Sequence, residues 1–277
     1  ARLARLLPPD APPFAWQTLV VSALAPHDAG RFSTTREAVL PRAQALIRWL
    51  AAALALGTEP ARVAASLEAR TVAGAVAAAL GVADEPAKLR AVDRLLVLLA
   101  DHELNASTFA ARVAASAQAD PCACLLAGLA TLSGPLHGGA SDRVEALLAE
   151  IPRPEEAARV IHERTRRGER VPGFGHGYYR GTDPRALLLF ETARALAPRA
   201  RGVRELDAAA AAMGAEGRPG PNVDTGAVAL RCALGMPRGV VVGLFAVGRC
   251  AGWMAHVIEQ YESGVLLRPR ARFVARS

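Results

Sequence analysis

Helix-favouring residues dominate this chain, and glycines and prolines cut it into pieces of helical length. Ala and Leu fill runs such as Leu89–Ala100 (LRAVDRLLVLLA). Strand-favouring residues are sparse, with aromatics only 5% of the total, so local propensity points one way. No segment alternates as a strand ladder would, and no repeat of solenoid period recurs. The expected class is all-α. At 277 residues the chain can bury one large core or two smaller ones.

Capping and breaking residues place the helices. Phe14–Ala25 reads as a short amphipathic helix. Arg2 and Arg5 before it resemble the start of a signal peptide, but Asp10 and four prolines interrupt the approach and Gln17 and Ser22 lie inside it. Ser33 or Thr35 is expected to cap a helix reaching Leu56 and stopped by Gly57, with another over about Thr58–Leu80 stopped by Gly81. Pro86–Ala100, a helix opening at Asn105 or Ser107, and Cys122–Leu132 follow, then Ser141–Glu150 and Glu155–Arg166. A Gly/Pro-rich loop, Arg170–Thr182, leads to Asp183 as an N-cap with Pro184 at the first helical position. A second loop, Gly214–Pro221, precedes a helix opening at Asn222–Asp224, and the last helix spans about Gly239–Gly264. No run reaches the roughly 18 apolar residues that cross a bilayer, so no membrane partner is expected.

The formal charge of +7 raises the question of nucleic acid. Lys88 is the only lysine, and the arginines are scattered instead of forming a basic arm. A small anionic substrate is the simpler partner, and no nucleic-acid partner is expected. Cys122, Cys124, Cys232 and Cys250 are too few for a disulfide scaffold, and Cys122-Ala-Cys124 lacks metal-site spacing. They read as reduced core thiols, which suits a cytoplasmic setting.

Three histidines stand beside small or turn-forming residues: His102 in DHELNAST, His137 in GPLHGGAS and His176 in VPGFGHGYYRGTDPR. A ring so placed can approach a ligand closely. Each also has a plainer reading. His102 can bond backbone carbonyls, His137 can be a polar loop residue, and Asp224, in the first turn of its helix, can be a cap or a dipole-favoured acid. Gly173-x-Gly175-x-Gly177 follows no strand and has the wrong spacing for a dinucleotide fingerprint.

Taken together, the segments are more specific. DHELNASTFAARV, GPLHGGA, VPGFGH with DPRA, PNVD, and FAVGRCAGWMAHVIEQ with LLRPRARF resemble the citrate synthase family, in the family's order, from about residue 13 to residue 274. The resemblance implies a two-domain helical fold. Residues 1–137 with 237–277 would form the larger domain and 138–236 the smaller, with His137 at the hinge. It also implies acetyl-CoA and oxaloacetate as substrates, no metal or separate cofactor, and a homodimer or larger assembly. Asp224 would be the base that deprotonates the acetyl methyl group, His137 the donor to the thioester oxygen, and His176 the group polarising the ketone. His102, Arg185, Arg249 and Arg268 would hold the dicarboxylate, with Arg268 reaching a neighbouring subunit's site. Val171, Pro172, Gly173, Phe174 and Gly175 would meet the CoA adenine through their backbone, and Arg180 and Arg218 its phosphates, although both are equally at home as solvated arginines.

Related chemistries remain open: 2-methylcitrate synthesis, citryl-CoA cleavage, or a metabolite-binding regulator that turns nothing over. Family members often read NVDFYSG where this chain has NVDTGAVA, so Thr225, Gly226 and Ala227 are expected to enlarge the acyl pocket or weaken catalysis. Gly177 stands where an arginine is frequent. Against the usual family length, an N-terminal segment of roughly several tens of residues is expected to be missing.

Overall fold

The computed structural model describes residues 6–8 and 10–272. Among them the chain forms thirteen α-helices, short 3-10 turns and no strand; one isolated bridge joins Phe174 to Pro221. Helices α1 (Pro13–Leu24), α2 (Arg36–Leu56), α3 (Val63–Glu68), α4 (Val72–Leu80), α5 (Pro86–Leu99), α6 (Ala106–Ser116) and α7 (Pro121–Leu132) come first. Then come α8 (Ala140–Glu150), α9 (Ala157–Arg166), α10 (Pro184–Leu196), α11 (Val203–Ala215), α12 (Val223–Ala233) and α13 (Val241–Ser263).

Side-chain caps explain several starts. Asn105, Asp183 and Asn222 accept from the backbone N–H groups of Thr108, Arg185 and Asp224, satisfying donors that a helix leaves unpaired. Thr35 holds the cap position of α2 without a side-chain bond. The single helix expected over 58–80 is a correction: the chain breaks after Glu68, where Ala69 is extended, and restarts at Val72 with Thr71 as cap. The break is stabilised from outside, because Arg48 donates to the carbonyls of Leu67 and Arg70, and Ser66 bonds Ala75 O at 2.8 Å. Helix α11, for which the sequence offered no boundary, opens at Gly202 (φ 95°), whose N–H donates to Glu205.

Helix α13 is the axis of the molecule. It packs against α1, α2, α5, α6 and α7 and also touches α8 and α12. Trp253 on it is fully buried. Gln17, also fully buried, donates to Leu50 O and Gly243 O and so ties α1 to α2 and α13. By length and hydropathy α2 and α13 meet the minimum for crossing a bilayer, which the sequence reading did not anticipate. In α13, however, 83% of the apolar window is buried inside the protein, as befits a core helix.

The main apolar cluster runs from α1 through α13 and takes in Val144, Leu189, Phe190, Val203 and Leu230. A smaller cluster joins α8, α9 and α11 through Leu147, Ile151, Ile161, Ala209 and Met213 and includes Val171. The four cysteines are free thiols; three are buried, and Cys232 is only partly so.

The junction of α13 with the end of α5 sets the position of the first histidine. The last carbonyls of a helix lack partners of their own. Here Arg249 Nε donates to Leu99 O at 2.7 Å and Gly252 N to Ala100 O at 3.1 Å. A Cβ on Gly252 would lie 2.1 Å from Ala100 O, so only glycine permits this approach. Gly252→Ala should force α5 and α13 apart at a cost of roughly 1–3 kcal/mol. A urea denaturation midpoint equal to that of the parent protein would contradict this.

Candidate active site

His102 lies just past this junction. Glu103 follows it in the left-handed region (φ 53°), a conformation that costs a non-glycine residue about 1–2 kcal/mol. Asp101 Oδ2 accepts from Glu103 N at 3.3 Å and so supports the turn. From here His102 meets the 170–182 loop. Its ring lies 5.3 Å from that of His176, edge-on at 83°, and its Nε2 is 3.2 Å from the Tyr179 hydroxyl.

His176 Nδ1 accepts from the backbone N–H groups of Tyr178 (2.9 Å) and Tyr179 (3.4 Å). Burial lowers its pKa, with Asp183 opposing and Arg185 assisting. The neutral ring therefore carries its proton on Nε2, which makes that nitrogen its donor. Burial also lowers the pKa of His102, helped by Arg185, His176 and Arg249. That of His137 is lowered by burial and then by Arg249.

His137 Nε2 is 2.8 Å from Ser107 Oγ. That hydroxyl accepts from Trp253 Nε1 at 3.2 Å and bonds Asn105 Oδ1 at 2.8 Å. The cap of α6, the buried tryptophan of α13 and the histidine are thus joined through one serine.

The dicarboxylate candidates behave differently from one another. Arg185 is 9% exposed and forms a two-point pair with Asp183, Nε–Oδ1 3.0 Å and Nη2–Oδ2 2.8 Å. Its guanidinium also lies 5.6 Å from the Tyr179 ring centroid. Arg249 is 4% exposed; burial and the Arg185 charge push its pKa down to about 10, so it remains a cation at neutral pH. Arg268 is exposed on the segment after α13, with no hydrogen bond or ion pair among the described residues.

Each residue of the Pro221–Thr225 segment is held from elsewhere in the chain. Pro221 bridges Phe174, and Asn222 donates from its backbone to Gly173 O (2.9 Å) and from its side chain to Gly175 O (3.0 Å). Val223 N donates to Asp183 Oδ2 at 3.1 Å. Asp224 accepts from Ser141 Oγ of α8 at 2.7 Å and is not itself the cap. Burial raises its pKa to about 6, against the lowering effect of Ser141 and the Arg185 charge. Thr225 is fully buried and donates to Gly173 O.

A cleft of about 970 Å³ opens beside this segment. The loop from Arg170 to Gly177 bounds it, with Ala140, Arg143, Arg164, Arg218 and Asn222. Arg218 pairs with Glu216 and Arg164 with Glu150 and Glu169, whereas Arg143 and Arg170 are exposed and have no ion pair among the described residues. Arg180 is exposed and does not line the cleft. Thr225, Gly226 and Ala227 do not line it either. A Cβ on Gly226 would meet Ala186 and Leu189 of α10 at 3.0 Å, and Ala227 is fully buried. Thr225, Gly226 and Ala227 are packed inside the fold and do not border this cleft.

The sequence reading passed over Ser107, Ser141, Arg143, Asp183 as a partner of Arg185, and the tyrosine pair. Only the tyrosines left a signal: two of the chain's three stand directly after His176-Gly177. No group of three or more His, Cys, Asp or Glu converges as a metal site among the described residues.

This arrangement holds a carboxyl poised near neutrality, neutral imidazole donors and buried guanidinium groups, the residue types suited to proton abstraction and to stabilising an oxyanion. Residues 1–270 match the family model described as citrate synthase, C-terminal domain. The chain belongs to the citrate synthase family. It is 41% identical over 196 residues to putative citrate synthase 2 of Mycobacterium tuberculosis, covering 69% of this chain and 52% of that protein. Like that one, the first relatives are about twice as long as the part of them that the chain spans. A 2-methylcitrate synthase 2 of Corynebacterium glutamicum is 32% identical over 283 residues, 98% of this chain and 74% of its own length. Among solved structures, citrate synthase from Thermoplasma acidophilum, in a ternary complex with carboxymethyl coenzyme A and oxaloacetate, superposes with a TM-score of 0.83. It is 29% identical, over 100% of this chain and 76% of that one. The fold is the all-α citrate synthase fold.

Two outcomes follow from the carboxylates. Removing the Ser141 hydroxyl takes away a bond that favours ionised Asp224, so Ser141→Ala should raise the Asp224 pKa further above about 6, read by NMR titration of its carboxyl. An unmoved titration would dissociate Ser141 from this carboxyl. Asp183→Asn leaves the Arg185 charge buried without its partner and should destabilise the fold by about 3–5 kcal/mol in chemical denaturation.

Proposed function

We propose that the chain carries the machinery to condense an acyl-CoA with oxaloacetate, acetyl-CoA giving citrate. The observation that carries the reading is Asp224, a carboxyl desolvated to a pKa of about 6 and aimed by Ser141. A base of that strength is ionised at neutral pH yet strong enough to act on a weak carbon acid. In this reading Asp224 takes a methyl proton while His137, neutral through burial, donates from Nδ1 to the thioester oxygen where enolate charge gathers, the Ser107 hydroxyl turning its proton from Asn105 Oδ1 to His137 Nε2. His176 donates from Nε2 to the ketone oxygen. The nucleophilic methylene carbon bonds to the ketone carbon, and water then cleaves the thioester, releasing the CoA thiol and citrate.

His102, Arg185, Arg249 and Arg268 bind the oxaloacetate carboxylates in this scheme; a guanidinium fork suits both oxygens of each. Tyr179 orients His102. The 970 Å³ cleft takes CoA, with Arg143 and Arg170 available to its phosphates and Arg218 joining them by exchanging its Glu216 partner. Closure of residues 138–236 over the rest of the chain would exclude water before deprotonation. The reading includes a homodimer or larger assembly in the cytoplasm and no cofactor besides the substrates. The Corynebacterium glutamicum relative, which aligns over nearly the whole chain, favours propionyl-CoA as a second acyl donor.

Thiol release with oxaloacetate and each acyl-CoA is the test. Asp224→Ala should lower turnover by roughly 10²–10⁴-fold and leave oxaloacetate binding intact by calorimetry. Tight oxaloacetate binding by the parent protein with no thiol release would instead support a metabolite-binding regulator.

A further inference from the structure

Thr225 departs from the usual family sequence, and its side chain has an unusual use. Helical threonines commonly return their hydroxyl to the carbonyl four residues earlier. Thr18, Thr131 and Thr192 all do so, bonding Phe14 O, Ala127 O and Leu188 O. Thr225 instead donates to Gly173 O, 52 residues away, at 2.5 Å. The carbonyl four residues before it, on Pro221, accepts from Asp183 N.

The receiving side is shaped for this contact. Gly173 has φ 79°, and a Cβ there would lie 2.1 Å from Thr225 Oγ1 and 2.5 Å from Val144 Cγ2. Val144 is on α8, one turn from the Ser141 that holds Asp224. The loop bounding the cleft, the helix carrying the base and the helix aiming that base therefore meet at Gly173.

We propose that Thr225 is a positioning residue that couples acyl-CoA binding to the placement of Asp224. Ligand on the Val171–Gly175 loop holds Gly173 O in place, and Thr225 passes that order to the adjacent base. The inference rests on the reading of the cleft as the CoA site. Gly173 O also accepts from Asn222 N, so removing the Thr225 hydroxyl weakens the tether without leaving a buried carbonyl unpaired.

The test compares the parent protein with Thr225→Val, which keeps the side-chain volume, and Thr225→Ser, which keeps the hydroxyl. CoA and oxaloacetate binding are measured by calorimetry, and KM and kcat are measured with acetyl-CoA. Thr225→Val should weaken CoA binding and raise the acetyl-CoA KM by roughly three- to tenfold, the factor expected of one neutral hydrogen bond. Oxaloacetate affinity should stay unchanged, and Thr225→Ser should restore CoA affinity. Hydrogen exchange at residues 171–175 should be faster in Thr225→Val and slower in the parent protein with CoA bound. Parent-like CoA affinity in Thr225→Val, equal losses for both ligands, or failure of Thr225→Ser to restore binding would each overturn the coupling. CoA binding without thiol release sinks the synthase reading while the calorimetric comparison still decides the role of Thr225. A parent protein that does not bind CoA overturns both.

Discussion

The buried carboxylate of Asp183 is the contact on which the site is assembled. It caps α10 through Arg185 N, pairs at two points with the Arg185 guanidinium, and accepts from Val223 N at the start of α12. Burial alone would raise its pKa, but these donors hold it below the usual carboxylate range. One side chain thus fixes the cation facing the histidines and the register of the helix bearing Asp224. Its net worth to stability is a separate matter, since a buried pair recovers in attraction much of what it loses in hydration. What it does supply is geometry.

Desolvation then sorts the titratable groups by role. It lowers His102, His137 and His176, keeping the rings neutral donors and acceptors, and raises Asp224 toward neutrality. The same burial lowers Arg249 only to about 10, leaving it positive at neutral pH. Neutral imidazoles beside permanent guanidinium charges suit the binding of an anion and the stabilisation of a second negative charge forming on it. At His176 the hydrogen bonds also set the tautomer, because two backbone N–H groups occupy Nδ1; His137 Nε2 bonds Ser107.

Much of the helical framework was legible because its determinants are local. Asn105, Asp183-Pro184 and Gly57 mark helix ends by backbone chemistry that acts within a few residues. The break between α3 and α4 was not legible, because Arg48 reaches it from another helix and no local signal contradicts helix there. The motif histidines, Asp224 and the arginines stood out through their order and resemblance. Ser107, Ser141 and the Asp183–Arg185 pairing did not, since a serine or aspartate near a helix start has an ordinary capping explanation.

By itself the sequence determined an all-α chain, its family, and the residue types available for acid, base and anion chemistry, since propensity, capping and ordered motifs are one-dimensional properties. Tertiary structure alone decided which groups share an environment and therefore how they titrate. It also showed that Thr225, read in sequence as an altered neighbour of Asp224, is fully buried and donates to Gly173 O on the loop bounding the cleft. Burial and hydrogen bonding between residues 52 or 83 positions apart, as in Thr225–Gly173 and Asp224–Ser141, exist only once the helices have packed.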